Sequence, residues 1–349
     1  MSDDIHIRKE GRAGRITLTR TKALNALSYE MCLDVEAALD SWRTDPDVAV
    51  VLMDAEGERA FCAGGDIGVI YETGMAQDFE YGRKFWADEY RMNAKIFTYP
   101  KPVISLMQGF TMGGGVGLGC HGSHRVVGET SQIAMPEVGI GLVPDVGGSL
   151  ILALAPGRLG EYLGTTAARM GPADAIYAGF ADQFIPQDAW PALIDDLVSN
   201  GDATAVERAA TTPPDGTLQA LQPQIDAHFA GQTLGDIARS LQAEDSEFAA
   251  KTLKSLSRNS PLAMACAVEL VHRQRGKGSI QAALAEEYRF TYRAAEQSDL
   301  LEGIRAKIID KDNAPNWRHS GLEAVSGADV TRLMLPLGKD ELNLTEEAA

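Results

Sequence analysis

The chain has 349 residues, of which 45% are hydrophobic and 23% are charged, and its formal net charge is −17. This length allows one large domain or two smaller ones with a full hydrophobic core, and the composition is ordinary for a globular protein. The strongly negative charge excludes nonspecific binding to nucleic acid or to an anionic membrane surface, so we expect neither as a partner.

The cysteines and histidines give no sign of a metal site. The four cysteines are scattered and form no CxxC pair, a pattern typical of a reduced intracellular protein. His121 and His124 are closely spaced but lack a third ligand nearby, so we assign them to the scaffold. The N-terminus lacks the apolar core of a signal peptide and the composition of an organelle-targeting leader, and no apolar run approaches membrane-spanning length. We therefore predict a cytoplasmic protein.

Strand, glycine turn and helix patterns alternate through the first half of the chain. Continuous apolar runs predict buried strands, and apolar residues at helical spacing predict helices, the first with Ser28 as its N-cap. The predicted strands lie at 15–19, 48–53, 103–107, 125–127 and 132–134, and the predicted helices at 28–43, 71–98, 150–162 and 173–179. This alternation predicts an α/β fold.

The sequence pattern changes after the stretch 200–217, which carries two adjacent prolines and a glycine and is the best candidate for a boundary. Beyond it the pattern is almost entirely helical, for example over 261–274 and 279–293. We therefore predict a core at 1–199 and a helical C-terminal region at 200–349 that completes or covers the core.

Two glycine-bearing turns and two acids form the candidate chemistry. The turn 61–66 follows one predicted strand, and the glycine triplet 113–115 follows another. Glycine lets backbone N–H groups approach a ligand closely because no Cβ intervenes. Glu137 and Asp145 each come directly after a proline. Such a set supplies donors for a developing oxyanion and carboxyls for proton transfer or nucleophilic attack, which fits acyl transfer.

These motifs, taken in order, resemble the crotonase, or enoyl-CoA hydratase/isomerase, superfamily. The matching pieces are Asn25-Ala26-Leu27, Ala63-Gly64-Gly65-Asp66, Gly113-Gly114-Gly115 and Met135-Pro136-Glu137. The chain is most similar to the 3-hydroxyisobutyryl-CoA hydrolase branch, through Pro144-Asp145-Val146-Gly147-Gly148 and Glu287-Tyr288-Arg289 among other motifs. The resemblance spans nearly the whole chain. It implies a ClpP-like spiral of ββα units in two roughly perpendicular sheets, with 1–199 as the acyl-CoA-binding core.

The resemblance also implies the catalytic residues. The thioester carbonyl would lie between the backbone N–H groups of Gly65 and Gly114, and Glu137 would act as nucleophile or as general base. Asp145 would hold the substrate hydroxyl or help to place the attacking water. Coenzyme A is then part of the substrate, and we expect no separate cofactor and no metal.

Further positions would contact the substrate. Glu89 matches a substrate-contacting glutamate of the hydrolases, although an exposed helical acid is the alternative. The adenine is expected against the backbone near Ala63, Asp66 and Ile67, and Asp66 itself is expected to be structural. The candidates for binding the CoA phosphates are Arg20, Lys22 and Arg59, although solvated surface charge is the stronger interpretation for all three. Relatives of this family form trimers, hexamers or dimers, so a homo-oligomer is expected.

Gly117 discriminates between the reactions of the family. Hydratases of the superfamily use one glutamate at this position and a second at the position of Glu137, whereas the position of Asp145 is commonly glycine in them. Here the first acid is missing and another has appeared, which fits 3-hydroxyisobutyryl-CoA hydrolysis in valine breakdown. Two alternatives remain open: an enoyl-CoA hydratase or isomerase with an unusual acid set, and an acyl-CoA-binding protein without activity.

Overall fold

The structure of the protein is a computed structural model that describes residues 3–344. The strands in that range are β1 Ile5–Glu10, β2 Ala13–Leu18, β3 Val50–Ala55, β4 Ala60–Cys62, β5 Val103–Met107, β6 Phe110–Met112, β7 His124–Val127, β8 Gln132–Ala134 and β9 Gln183–Phe184. The helices are α1 Tyr29–Trp42, α2 Gly68–Met75, α3 Glu80–Phe97, α4 Gly114–Gly119, α5 Gly148–Leu154, α6 Leu159–Thr166, α7 Pro172–Tyr177, α8 Trp190–Asn200, α9 Ala205–Ala209, α10 Leu218–His228, α11 Leu234–Gln242, α12 Glu247–Leu256, α13 Pro261–Gln274, α14 Ile280–Gln297, α15 Leu300–Ile304 and α16 Gly327–Met334.

The described residues divide into two compact units. Within residues 3–344, the first unit is formed from the residues up to Asp66, Arg91–Ala134 and Arg169–Gln219, and the second from Ile67–Tyr90, Met135–Ala168 and the residues from Ala220 onward. Each unit therefore combines segments that are distant in the sequence. The predicted division into 1–199 and 200–349 concerns continuous stretches of sequence, and it stays a prediction.

Two sheets make up the strand content of the first unit. The six-stranded sheet has the order β1-β2-β3-β5-β7-β9, and the three-stranded sheet has the order β4-β6-β8. Only β1 and β2 pair antiparallel, and the other neighbouring strands are parallel. The central strands β3 and β5 are buried along almost their whole length, which explains their continuous apolar sequence. The predicted α/β fold is confirmed.

Helix α1 begins as predicted. Ser28 has an extended backbone, and its hydroxyl accepts a hydrogen bond from the Met31 N–H at 3.2 Å. This bond satisfies one of the N–H groups that have no partner inside the first turn of a helix. Met31, Val35 and Leu39 are fully buried along one face of the helix. The predicted helix over 28–43 is confirmed to within one residue at each end.

The second unit is predominantly helical. Its central helix α13 begins with Pro261 after a Ser260 N-cap, whose hydroxyl accepts from the Ala263 N–H. Most residues of α13 are buried, and it packs against α5 and α6. An apolar helix of this kind belongs to the interior of a unit rather than to its surface. Within residues 3–344, no strand follows β9 along the chain.

Three sequence-based boundaries are corrected by the structure. The single helix predicted over 71–98 is wrong, because α2 and α3 are separate and Gln77 between them has a left-handed φ of 63°. The single helix predicted over 150–162 is also wrong. Pro156 lies between α5 and α6, and proline lacks the N–H that a continuing helix needs. Strand β1 was absent from the sequence-based prediction. Over the described range, no helix combines the length and the apolar character needed to cross a membrane.

Candidate active site

The small sheet places the motifs at the carboxyl ends of its three parallel strands. β4 ends at Cys62 and leads into the turn that contains Gly65. β6 ends at Met112, directly before the glycine triplet, and β8 ends at Ala134, three residues before Glu137 in the chain. Ligand-binding loops commonly follow the carboxyl ends of parallel strands. The sheet therefore gives a structural reason for the order in which the motifs occur.

The first glycine turn is fixed by a short parallel bridge to Leu27. The Leu27 N–H donates to the Gly64 carbonyl, and the Asp66 N–H donates to the Leu27 carbonyl, both at 2.8 Å. The Gly65 N–H takes no part in this bridge. Gly64 has a φ of 122°, which side-chain-bearing residues rarely adopt. The hydrogen bonds to Leu27 thus fix the backbone on both sides of Gly65 and leave its N–H outside the bridge.

The second glycine turn lies against the first. Gly113 has a φ of 51°, and α4 begins at Gly114, where helical N–H groups have no partner inside the helix. A Cβ added to Gly115 would lie 2.1 Å from the Cys62 carbonyl oxygen, so only glycine allows this approach. The turns that carry Gly65 and Gly114 are therefore neighbours within the first unit. Their assignment as oxyanion donors stays a prediction.

The predicted adenine-binding segment is half-buried at Ala63, Asp66 and Ile67. The Asp66 carboxylate accepts from the Arg20 guanidinium at 2.8 Å, and Arg20 also pairs with Asp4 at 3.3 Å. These ion pairs support the structural role predicted for Asp66 and commit Arg20 to bracing the turn. Lys22 and Arg59 are exposed in the first unit. Contact between this segment and a nucleotide stays a prediction.

Four buried acids meet within the second unit. Glu89, Glu137, Asp145 and Glu287 are each at most 4% exposed, and we call them the acid cluster. Asp145 interacts electrostatically with each of the three glutamates, and its Oδ2 accepts from the Tyr90 hydroxyl at 2.8 Å. The structure therefore brings together three predicted site residues, Glu89, Glu137 and Asp145. The alternative reading of Glu89 as an exposed helical acid is wrong.

Burial raises the pKa of every member of the acid cluster. It raises the pKa of Asp145 to about 7 and that of Glu287 to about 8, against the hydrogen bonds that each carboxyl accepts. Burial, followed by the neighbouring charge of Asp145, holds the pKa of Glu89 and of Glu137 well above the usual glutamate range. Like charges in a poorly hydrated site oppose one another's ionisation. Burial thus brings the pKa of Asp145 and of Glu287 close to neutral pH, the range that suits acid–base chemistry.

Glu161, also in the second unit, shows the opposite arrangement. It is fully buried, but hydrogen bonds from His272 and Arg275 outweigh its burial and lower its pKa to about 2. Its carboxylate lies 3.1 Å from His272 Nε2 and 2.6 Å from Arg275 Nη2. No lysine, arginine or histidine among residues 3–344 forms a comparable pair with the acid cluster. Glu161 is a paired structural acid, whereas the cluster is an uncompensated set of carboxyls.

Two carboxyl oxygens of the cluster have no hydrogen-bond partner in the described part of the chain. They are Glu89 Oε1 and Glu137 Oε2, both buried. Buried polar atoms are nearly always satisfied in folded proteins, so these two oxygens are available to a polar group of a substrate. A substrate hydroxyl can both donate and accept a hydrogen bond, and it would satisfy either oxygen in either protonation state.

Glu287 holds the turn that carries Asp145. Its carboxylate accepts from the Gly147 N–H at 2.8 Å, from the Ser149 N–H at 3.0 Å and from the Ser149 hydroxyl. The turn needs this support because Val146 has a φ of 53°, a conformation that is strained for a β-branched residue. Helix α14 thus fixes the backbone next to Asp145 across about 140 residues of sequence.

The segment after Glu137 is also held by the C-terminal helices. Residues Glu137–Ile140 form a short 3₁₀ helix, whose Val138 carbonyl accepts from the Ser260 N–H at 2.9 Å. A Cβ added to Gly303 would lie 2.1 Å from the Ile140 carbonyl oxygen, which shows how closely α15 approaches. The C-terminal helices of the second unit therefore position both catalytic candidates.

Sequence reasoning missed two members of this site. Glu287 belongs to a matching motif and Tyr90 directly follows Glu89 in the chain, but the sequence predicts no role for either. Glu287 is fully buried in a helix whose next residue, Tyr288, donates from its hydroxyl to the Arg83 carbonyl. The position of Glu287 on the inner face of an amphipathic helix could have indicated a buried acid. Its hydrogen bond to Gly147, 140 residues away, could not be predicted from the sequence. Arg289, two residues after Glu287, pairs with Glu341 at 2.6 Å.

Residues 13–334 match the family described as enoyl-CoA hydratase/isomerase. The mitochondrial 3-hydroxyisobutyryl-CoA hydrolase of Gallus gallus is 35% identical over 355 residues, which cover 98% of this chain and 91% of that protein. A crystal structure described as an enoyl-CoA hydratase from Rhodobacter sphaeroides 2.4.1 is 55% identical, with a TM-score of 0.94, and covers 98% of this chain and 100% of that chain. A carnitinyl-CoA dehydratase from Mycobacterium thermoresistibile is 40% identical, with a TM-score of 0.94, over 99% of this chain and 100% of that one.

The chain therefore belongs to the enoyl-CoA hydratase/isomerase, or crotonase, family, and it is an enzyme of that family with the crotonase fold. The similar proteins carry different activities in their names, a hydrolase in one case and a hydratase and a dehydratase in the others. The particular reaction thus depends on the residues of this chain. The hydrolase of Gallus gallus is mitochondrial by name, and the cytoplasmic location of this chain stays a prediction, as does its oligomeric state.

Proposed function

We propose that this enzyme hydrolyses acyl-CoA thioesters, and that its main reaction converts 3-hydroxyisobutyryl-CoA and water into 3-hydroxyisobutyrate and CoA, a step of valine breakdown. Coenzyme A enters as part of the substrate, so the proposal requires no separate cofactor and no metal. The similarity to 3-hydroxyisobutyryl-CoA hydrolases along nearly the whole chain supports it.

The choice of acids carries the proposal. Gly117 lies fully buried in α4 and offers no carboxyl at the position where the hydratases of this family have one. Asp145 instead adds a carboxyl beside Glu137 in the acid cluster. Hydration of a double bond by two glutamates lacks one of its partners in this chain. A buried acid pair next to unsatisfied oxygens fits hydrolysis of an ester whose acyl group bears a hydroxyl.

The proposed mechanism divides the work between backbone and carboxyls. The Gly65 and Gly114 N–H groups polarise the thioester carbonyl and stabilise its developing negative charge. Glu137 then either attacks that carbon, giving a mixed anhydride and CoA thiolate, or removes a proton from the attacking water. Water opens the anhydride in the first case and adds directly in the second, and both routes end in the free acid and CoA. Asp145 and Glu89 hold the substrate hydroxyl.

A raised pKa suits Glu137 to this task. A carboxylate that ionises well above its usual range is a stronger base once it has lost its proton, and general bases work best when their pKa is near the working pH. Burial raises the pKa of the neighbouring Asp145 to about 7. The rate of hydrolysis should therefore rise with pH through the neutral range.

The second candidate is an enoyl-CoA hydratase. It is favoured by the 55% identity to the structure described as a hydratase from Rhodobacter sphaeroides 2.4.1. In that case Glu137 and Asp145 together would replace the usual glutamate pair. The two candidates differ in an easily measured product, because only hydrolysis releases a thiol.

Thiol release from a small panel of esters tests the proposal directly. The panel contains 3-hydroxyisobutyryl-CoA, 3-hydroxypropionyl-CoA and crotonyl-CoA, and loss of the enoyl absorbance is followed in parallel. We expect thiol release to be fastest with 3-hydroxyisobutyryl-CoA, and 3-hydroxypropionyl-CoA is a possible co-substrate. Efficient hydration of crotonyl-CoA without thiol release would refute the proposal in favour of the hydratase. Tight binding of all three esters without turnover would indicate a non-catalytic binding protein.

Labelled water distinguishes the two routes of Glu137. In a single turnover in ¹⁸O water, the anhydride route leaves label in the Glu137 carboxyl when water attacks the anhydride at that side. The general-base route places label in the product alone. Mass spectrometry of the peptide that contains Glu137 reads the outcome, and the same peptide from the Glu137→Gln variant serves as the blank.

A further inference from the structure

Tyr90 is the hydrogen-bond donor that faces Asp145. Its hydroxyl is fully buried and lies 2.8 Å from Asp145 Oδ2 and 3.4 Å from Thr291 Oγ1. A phenol has one proton to donate, and the shorter contact identifies the carboxyl as its acceptor. If Asp145 were protonated at Oδ2, Tyr90 would have to direct its own proton to Thr291 at a long distance. A carboxyl protonated at Oδ1 would still accept at Oδ2, but the bond is stronger to a carboxylate, so Tyr90 stabilises the ionised form of Asp145 relative to the neutral one.

The Tyr90 side chain is held firmly enough to perform this role. Its ring packs edge-on against the ring of Tyr288, with centroids 6.2 Å apart and planes at 78°. The ring of Tyr288 packs in turn edge-on against the ring of Tyr292, with centroids 5.8 Å apart and planes at 70°. Aromatic rings in such contacts are restricted in both side-chain torsions. The Tyr90 hydroxyl thus meets Asp145 from a fixed direction.

Only acids and this one phenol surround Asp145. The titratable groups that face it are Glu89 and Tyr90 from α3, Glu137 from the 3₁₀ helix and Glu287 from α14, and no cation among residues 3–344 pairs with it. Several carboxyls in one dry site cannot all ionise together, so they compete for the charge. A single neutral donor at hydrogen-bond distance from one carboxyl decides that competition in its favour.

We propose that Tyr90 is a positioning residue, whose hydroxyl orients the Asp145 carboxylate and keeps the negative charge of the acid cluster on Asp145. This inference rests on the proposed thioester hydrolysis for its kinetic consequence, but the effect on the ionisation of Asp145 is independent of any reaction. Helix α3 thus contributes two adjacent residues to the proposed site. Glu89 contacts the substrate, and Tyr90 stabilises the charge on Asp145.

The test removes one hydroxyl and keeps the ring. In Tyr90→Phe we expect the acid limb of the pH profile of kcat/KM for 3-hydroxyisobutyryl-CoA to move up by about one to two pH units, since a hydrogen bond to a charged group is lost. At a pH below the wild-type limb, turnover should fall about tenfold or more. Tyr288→Phe is the matched control, because it removes a tyrosine hydroxyl bond close by that does not reach Asp145. Its profile should follow the wild type.

A spectroscopic titration separates this inference from the proposed function. Infrared spectra of protein with ¹³C-labelled aspartate, after subtraction of the Asp145→Asn spectrum, report the ionisation of Asp145 alone. The titration should shift upward in Tyr90→Phe and stay in place in Tyr288→Phe. Incorporation of 3-fluorotyrosine at position 90 strengthens the donor, and it should shift the titration downward, which keeps the test open if Tyr90→Phe does not fold.

The outcomes are distinguishable. If the wild-type protein releases no thiol from any ester, the proposed function fails, while the infrared titration still tests Tyr90. If the wild type hydrolyses the ester and the Asp145 titration is the same with tyrosine, phenylalanine and fluorotyrosine at position 90, the role of Tyr90 is refuted and the proposed function stands.

Discussion

At the scale of single residues, burial alone does not identify a functional acid. Glu137 and Glu161 are both buried glutamates of the second unit, at 4% and 0% exposure. The side chains of Arg158, His272 and Arg275 surround Glu161, and its pKa falls to about 2. Glu137 has carboxyls and one unsatisfied oxygen around it, and its pKa rises. Acids whose pKa is strongly raised and that have no cationic partner are typical of catalytic sites. Acids that pair with cations are typical of structural networks.

Replacement by glutamine should therefore lower mainly the activity at Glu137 and mainly the stability at Glu161. We expect Glu137→Gln to lower kcat for 3-hydroxyisobutyryl-CoA about a hundred-fold or more, because it removes the proposed nucleophile or base, while its folding stability is kept. Glu161→Gln should leave kcat close to that of the wild type but lower the free energy of unfolding by about 3 kcal/mol, because two arginines and a histidine lose their carboxylate partner. Steady-state kinetics and urea unfolding at pH 7 provide both readings.

Asp145→Asn extends this comparison, since it should also lose turnover without loss of fold. A Glu137→Gln variant that hydrolyses the ester at the wild-type rate would rule out the assigned role of Glu137. Equal loss of activity in Glu161→Gln at full stability would show that the contrast between the two acids has been misread.

At the scale of elements, helices of the C-terminal region fix the segments that carry the acids. Helix α14 provides Glu287 for the turn after Asp145, and the start of α13 provides the Ser260 N–H for the segment after Glu137. Both supports act on backbone groups. The bonds from Glu287 hold Val146 in a left-handed conformation, which costs on the order of 1–3 kcal/mol. The catalytic geometry is thus set by elements far away in sequence.

Glu287→Gln should loosen that turn. An amide keeps one carbonyl acceptor but turns an NH₂ group toward the second backbone donor, so one of the Gly147 and Ser149 N–H groups loses its partner. We expect the free energy of unfolding to fall by about 2–3 kcal/mol and kcat to fall about a hundred-fold as Asp145 shifts. Glu286→Gln is the matched control on the same helix, since Glu286 pairs with Lys277 away from the turn. Unchanged kinetics in Glu287→Gln, with Glu286→Gln behaving like wild type, would contradict the positioning role.

The elements also show what could be predicted from sequence. Local patterns predict the α/β class, helix α1 with its Ser28 cap and the buried strands β3 and β5. The type and spacing of the residues within each segment are enough to indicate these elements. The break at Pro156 was missed because the apolar spacing continues across it. Glu287 and Tyr90 lacked a role because their importance depends on contacts with residues 140 and 55 positions away. Such pairings are properties of the fold.

At the scale of the whole molecule, the acid cluster should make stability depend on pH. Asp145 has an unfolded pKa near 3.8 and a folded pKa raised to about 7. Below the first value both states hold the proton, and between the two values only the folded state holds it. Since the unfolded state then binds fewer protons, stability falls as pH rises through this window and levels off above it. The buried Asp145 carboxyl therefore lowers the stability of the folded protein at neutral pH, as is common for groups in active sites.

Asp145→Asn should weaken this dependence, because it removes the contribution of Asp145 and leaves that of Glu287. The amide cannot ionise and can still accept from Tyr90, so we expect the variant to be more stable than the wild type at pH 8 by a few kcal/mol and equal to it at pH 4. Glu161→Gln should show the reverse trend. Its folded pKa of about 2 lies below the unfolded value of 4.5, so that carboxylate stabilises the protein above pH 4.5 and the benefit declines as pH falls through about 2. Urea unfolding of both variants and the wild type from pH 3 to 8 measures the two slopes. A stability gain in Asp145→Asn that is the same at every pH would show that the Asp145 carboxyl is not forced to ionise inside the folded protein.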